Sequence, residues 1–272
     1  MKAQRWINIL TTFALVVLLF GEWQARKPEG RPMAINYPDN SATVSFGTTP
    51  TSVSTPTSRT WMGWINITQQ QATDQYHTLL YAKDVPGGWV AWSINYHSNQ
   101  TGSPATYLTF TRDYTIQGLW IGAATLTVGT WYHIAVTYAE GTANDPIIYL
   151  NGAPVAITEI STPSGTVEDD SDSLLYVGGA GGRVIVSDLR IYPFITSAAD
   201  IVDIYNSRCA NVHPSAGLPV FAPMMYGAAG LQAFDGGTLA AANKIVDPYS
   251  GALGTPAGSP VGVAETYLSV CP

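Results

Sequence analysis

Charge is what this sequence most lacks. Only 11% of its 272 residues are Asp, Glu, Lys or Arg, less than half of the ~25% usual in soluble globular proteins. Helical proteins draw their solvent-facing stripes from Glu, Lys and Arg, so a mainly helical fold is disfavoured. Basic residues are scarcer still beyond the N-terminus. Five of the 12 (Lys2, Arg5, Arg26, Lys27 and Arg31) fall in the first 31 positions beside only Glu22 and Glu29, leaving 7 bases against 17 acids, a net of −10. So acidic a body, with no basic cluster, repels phosphate backbones and excludes nucleic-acid binding. Cysteine is nearly absent: Cys209 and Cys271 are the only two, and neither stands in a Cys-x-x-Cys or metal spacing. No Gly-x-Ser-x-Gly, His-Glu-x-x-His or phosphate-cradling loop before a helix occurs.

What is present is Thr, Ser, Asn and Gln for polarity, 26 Gly and 18 Pro for turns, and 46% hydrophobic residues. That mixture favours many short strands. The chain opens with Lys2 and Arg5 before an apolar run from Trp6 to Phe20. This is the pattern of a secretory signal and is short for a membrane span. Small residues at a cleavage site are poorly placed, since Ala25 follows Trp23 by two and Gly21 follows Leu19. A cleaved signal, a retained anchor and a hydrophobic arm docked on a neighbour all remain open for residues 1–32.

From residue 33 onward strand follows strand. WMGWINIT (61–68), WVAWSINYH (89–97) and TYLTFTR (106–112) alternate in period two, and HTLLYAK (77–83) is a further strand between the first two. GTWYHIAVTY (129–138) puts Trp131, His133, Ala135 and Thr137 on one side, and Trp61, Trp64, Trp92 and Trp131 are assigned to the core. Ile147 to Leu150 leads into Asn151-Gly152, a type I′ hairpin signal, with Ala153 to Ile157 as the return strand. LLYVGG (174–179) and RVIVSDLRIYPF (183–194) add two more strands, and Thr196 to Tyr205 reads as one short helix with Ala198, Ile201, Val202 and Tyr205 as its apolar stripe. The expected fold is all-β, an antiparallel β-sandwich of jelly-roll type spanning 33–208. Residues 209–272 read as an irregular Gly/Ala-rich extension packed on the sandwich through Leu218, Val220, Phe221, Met224 and Met225. Cys209 and Cys271 either form a disulfide tying this extension back, worth about 4 kcal/mol in the chain-entropy model, or are two unrelated thiols.

The order of these pieces resembles a known family. A tryptophan strand, then GTWYHIAVTY, IIYLNGAPV, a strand ending in Gly178-Gly179 and VSDLRIYPFITSAADIVDIYN is similar to the concanavalin A-like lectin/glucanase superfamily in its laminin-G-like form. The resemblance covers about residues 34–207. It implies a fold rather than a ligand. Glycosidases of this fold carry two or three carboxylates on one strand as nucleophile and acid/base. That Glu-x-Asp-x-x-Glu arrangement is missing here, so no enzyme is expected.

Two kinds of binding residue are then candidates. The acidic loop Glu168, Asp169, Asp170 and Asp172 is the densest negative stretch and suits Ca²⁺, which accepts many oxygens without strict geometry; a solvated charge run is the plainer reading. Trp89 beside Gly87-Gly88 and Trp120 beside Gly118 lie near turns where a ring could stack on a sugar. Asn95, Tyr96 and His97 could supply polar contacts along the same edge, and packing competes for each. Asn66 and Asn99 head glycosylation sequons, the first of them mid-strand. The function expected is a non-catalytic extracellular binding or adhesion module that recognises a glycan or another surface ligand through rim loops. The alternative is a structural or decoration subunit of a virion or surface filament, with neighbouring subunits as partners.

Overall fold

The alternating segments form two facing antiparallel layers, and a helix covers the back of one of them. The computed structural model describes residues 31–32, 34–37, 42–48, 58–69, 75–83, 90–98, 107–169, 171, 173–179, 183–207, 213–222, 224–226, 237–238, 244–246, 253–257 and 261–262. The strands among them begin with β1 (Arg31–Pro32), β2 (Ala34–Tyr37), β3 (Thr43–Thr48), β4 (Arg59–Ile67), β5 (Gln75–Lys83), β6 (Val90–Ser98), β7 (Tyr107–Arg112), β8 (Tyr114–Ile116) and β9 (Gly118–Ala123). There follow β10 (Trp131–Tyr138), β11 (Ile147–Leu150), β12 (Ala153–Pro154), β13 (Ile157–Ser161), β14 (Ser164–Val167), β15 (Leu174–Gly178), β16 (Val184–Tyr192) and the helix α1 (Ala198–Ser207). The last are β17 (Met224–Tyr226), β18 (Gly237–Thr238), β19 (Lys244–Val246), β20 (Leu253–Ala257) and β21 (Val261–Gly262).

One sheet runs β1-β17-β19-β20-β3-β15-β5-β6-β7-β9-β13 and the other β12-β11-β10-β4-β16-β2-β21-β18. Side chains from both layers fill the space between them. Trp61, Ile65, Ile134 and Val136 of one sheet share a cluster with Trp92, Ile94, Phe110 and Trp120 of the other. An all-β, concanavalin A-like sandwich with one short helix is therefore what this sequence builds.

Four details depart from the sequence reading. His133, Ala135 and Thr137 point away from the facing sheet, beneath α1, while Ile134, Val136 and Tyr138 point into the main core. Trp64 shares the α1 side, its ring 5.7 Å from that of Tyr205, and Trp131 is only half-buried. Strands β4 and β16 are buried at every position, because α1 seals the second face of their sheet through Ile201 and Ile204. A strand with both faces covered carries no polar row to mark its outside.

Second, α1 buries Ile201 and Ile204 and leaves Val202 exposed. Ser197 caps it, its Oγ accepting the Asp200 N–H at 3.1 Å and donating to Asp200 Oδ2 at 2.8 Å. Third, the return strand breaks after Pro154, which cannot donate to a ladder. Val155 N–H still reaches Ile148 of one sheet, whereas Ala156 C=O accepts Ala123 N–H of the other, so β13 crosses between layers. Fourth, the described residues of the C-terminal segment include five short strands, β17 to β21, that enter both sheets, and Phe221 is wholly buried although Leu218 is exposed. Cys209 and Cys271 lie outside the described residues.

The hairpin at Asn151-Gly152 forms as its sequence requires, with φ of 51° and 79°.

Candidate ligand-binding rims

The nine residues of β6 carry the chain from one rim of the sandwich to the other, roughly 26 Å at 3.3 Å per residue. Val90 opens the strand at one rim, and Tyr96 and His97 approach the opposite one; Trp89 lies outside the described residues.

At the first rim the centre is Arg112, the last residue of β7, 1% exposed. Its Nε donates to Glu140 Oε2 at 3.1 Å and Oε1 at 3.3 Å, Nη1 to Ala91 C=O at 2.9 Å, and Nη2 to Glu168 C=O at 3.2 Å. Tyr114 donates to Glu140 Oε1 and lies 3.1 Å from the Tyr138 hydroxyl, which donates to Gly141 C=O at 3.0 Å. Burial, and then the Glu140 carboxylate, push the Tyr114 hydroxyl above its ordinary pKa. Trp120 Nε1 donates to Asp145 Oδ1 at 2.8 Å, tying down the far end of the same connection. Burial and then Glu168 raise the Asp113 carboxyl. This network fastens three connections to the end of the sandwich, and its hydrogen bonds are made within the protein.

Arg112 also bears on calcium. The guanidinium already supplies positive charge beside Glu140 and the Glu168 carbonyl. The Asp169 carboxylate accepts the Ser171 N–H at 2.9 Å, which holds it below its ordinary pKa. Among the described residues no three His, Cys, Asp or Glu side chains gather as a metal site. Asp170 and Asp172 lie outside the described residues, so of the four acidic side chains of this loop the structure describes Glu168 and Asp169.

At the second rim β16 begins, β4 ends and β10 begins. Arg183 has φ of 59°, a left-handed value uncommon for a residue with a side chain. Backbone bonds hold it there: its N–H donates to Tyr37 C=O, and its C=O accepts Thr68 N–H at 2.8 Å. Its Nη1 donates to Gln69 Oε1, and its Nε has no partner. Arg112 and Arg190 face Glu140 and Asp188; Arg183 forms no ion pair with a carboxylate among the described residues. Two strand spacings away, about 10 Å, the half-buried Trp131 starts β10, its register partner being Asn66 on β4. Thr130, Val128 and Gln69 are exposed around it. Burial raises the pKa of Tyr96, at the end of β6, and the charge of Arg183 opposes the shift.

The residues anticipated from sequence fall as follows. Trp120 has no exposed surface: it stacks 5.9 Å from Phe110 and 5.6 Å from Tyr138, in space that a Cβ at Gly118 would fill. It is a core residue and cannot stack on a sugar. Asn95 is buried mid-strand, donating to Ser93 Oγ at 2.9 Å and Thr109 Oγ1 at 3.3 Å, and Tyr96 is enclosed. His97 lies on β6 with its side chain outside the described set, as Trp89 and Asn99 are altogether. Asn66 is buried, which removes it as a glycan acceptor in the folded chain. Arg183, Gln69 and the exposure of Trp131 were missed. The available signal was that Arg183 is one of only seven bases in the body and follows Gly181-Gly182.

A laminin G family model, described as the concanavalin A-like lectin/glucanases superfamily, matches residues 38–202, more than half of the chain. The chain belongs to this superfamily. No curated protein matches it. Among solved structures of this fold, a candidate carbohydrate binding protein from Bacteroides ovatus superposes with a TM-score of 0.52 at 15% identity, over 86% of this chain and 61% of that one. A heptameric pentraxin from Limulus polyphemus gives 0.49 at 12% identity, over 68% and 88%. Trypanosoma rangeli sialidase gives 0.42 at 18%, over 56% of this chain and 23% of its own length. Such identities speak to fold alone, and the chain spans less than a quarter of the sialidase.

Proposed function

We propose that this concanavalin A-like domain is a non-catalytic module acting outside the cytoplasm, and that it binds a glycan through the rim built by Gln69, Trp131 and Arg183. The observation that carries the reading is the contrast between the two rims. Arg112 is internally satisfied and locks its end, whereas Arg183 lies beside the exposed amide of Gln69 with part of its hydrogen-bonding capacity unused. An indole face for the apolar side of a pyranose, flanked by planar donors and an amide, is the usual chemistry of sugar recognition. The carbohydrate-binding description attached to the B. ovatus protein of like fold supports the same ligand class.

Catalysis finds no support in the described residues. The row across the middle of the large sheet is Thr111, Ser93, Asn95 and Thr109, neutral groups bonded to one another, with Ser93 Oγ 2.7 Å from Thr111 Oγ1. Glycoside hydrolysis requires a carboxylate pair. The apolar N-terminal run supports export. The test is a glycan array probed with the full chain, with and without a calcium chelator. Binding should appear and should fall in Trp131→Ala and Gln69→Ala, but not in Asn144→Ala at the Arg112 rim. Silence of the wild-type chain on every glycan in both conditions defeats the reading.

A further inference from the structure

We infer that His213 is an acid-sensitive clasp on the segment 213–222, and that protonating its imidazole loosens the join this segment makes between the two sheets. The segment follows α1 and leads toward β17 in the larger sheet. On the way it caps β16 of the smaller one. Val220 N–H donates to Ile191 C=O at 2.8 Å, and Phe221 C=O accepts the Ile191 N–H at 2.8 Å. The Phe221 ring enters the main core and meets Phe46 of β3 edge-on, 5.0 Å between centroids. At the start of the segment Ser215 N–H donates to Asp200 Oδ1 of α1 at 3.3 Å, and His213 Nδ1 lies 3.3 Å from the Tyr192 hydroxyl.

That last contact ends a chain of four polar side chains. Asp188 accepts from Arg190 Nε at 2.9 Å and from Nη2 at 2.7 Å, and Arg190 also donates to the Tyr192 hydroxyl. With its oxygen occupied by the guanidinium, Tyr192 turns its own proton to His213 Nδ1, which accepts it only while that nitrogen is unprotonated. A proton on Nδ1 sets two donors against each other, and an imidazolium beside a guanidinium whose carboxylate is already engaged. Arg190, Asp188 and Tyr192 are the groups that face the ring from β16; on α1, Asp200 is occupied by Ser197 and Ser215. Burial, and then the Arg190 charge, lower the His213 pKa from 6.5, with Asp188 opposing them. The released segment takes up the proton near pH 6.5 and the closed one only below it, so closure weakens as pH falls. His213 is half-buried, so the proton reaches it from solvent without global unfolding.

The experiment is NMR on the full chain from about pH 7.5 to 4.5. It follows the His213 ring and the hydrogen-exchange protection of the Val220 and Ile191 amides, each relative to the unstructured rate at the same pH. His213 should titrate below 6.5, and over the same range protection should fall at least about tenfold, while that of Ile65 in the middle of β4 holds. His213→Gln, whose amide oxygen accepts the Tyr192 proton without titrating, should keep its protection throughout. His133→Phe should leave the fall in place, because His133 lies under Tyr205 of α1 and acts on global unfolding. A midpoint at or above 6.5, protection that ignores pH, an equal fall at Ile65, or the same fall in His213→Gln overturns the inference. If the variant does not fold, the wild-type chain decides: ring titration and protection loss must coincide within about half a pH unit, and separate midpoints overturn the clasp.

Discussion

The indole of Trp61 lies 5.3 Å from that of Trp92, ring centroid to ring centroid, and the two side chains come from opposite sheets. Phe110 of the second sheet stands 5.2 Å from Trp61 and passes the stack on to Trp120 and Tyr138. The layers are thus joined through aromatic contacts that neither sheet could make alone. Trp61→Ala should destabilise by about 3–5 kcal/mol, read as a fall in the urea midpoint at unchanged slope. A loss under about 1 kcal/mol would show that the aromatic stack is not what holds the sheets together.

The same stack shows what alternation reveals and what it hides. Strand β7 keeps Leu108 and Phe110 inward and Thr109 and Thr111 outward, so its facing was legible. Strand β10 was not, because α1 buries His133 and Ala135 as thoroughly as the facing sheet buries Ile134 and Val136. A third layer erases the polar row that tells inside from outside. The site was hidden for a different reason. Arg183 and Gln69 are 114 positions apart and meet only because β16 pairs with β4. No spacing in the chain announces that. Trp120 failed as a rim candidate since a neighbouring glycine, taken for an exposed turn, is instead the space into which its ring packs.

Arg112 and Glu140 should behave as one unit. Removing a single member strands a buried charge, so Glu140→Gln should cost about 3–5 kcal/mol, whereas Arg112→Met with Glu140→Gln together should recover part of that loss. A double-mutant cycle by chemical denaturation measures the coupling. Additive single effects would show that the two groups act independently.

His133 sets an acid limit on stability. Burial, then the nearby Arg190 guanidinium, lower its pKa from 6.5 to about 3. Trp64 faces it at 5.3 Å, and Tyr205 of α1 covers it. Arg190 is in turn held by Asp188 at 2.7 Å. Above pH 6.5 neither folded nor unfolded chain carries the proton. Between 6.5 and about 3 the unfolded chain takes it up and the folded one does not, so stability falls as pH falls, by up to about 1.4 kcal/mol per unit. His133→Phe should flatten that part of the pH profile when midpoints are compared from pH 7 to 4. An equally steep profile in the variant would assign the acid sensitivity elsewhere.

Arg183→Gly separates folding from recognition at one position. Glycine adopts a φ near 60° without the Cβ penalty, which offsets its larger unfolded-state entropy and the lost bond to Gln69. The variant should stay within about 1 kcal/mol of wild type in thermal or urea unfolding, yet lose binding on the glycan array. If the guanidinium were kept instead to close the end of the sandwich over Tyr96, stability would drop by well over 1 kcal/mol. Because the backbone bonds to Tyr37 and Thr68 survive the substitution, any such drop would report the side chain's structural contribution.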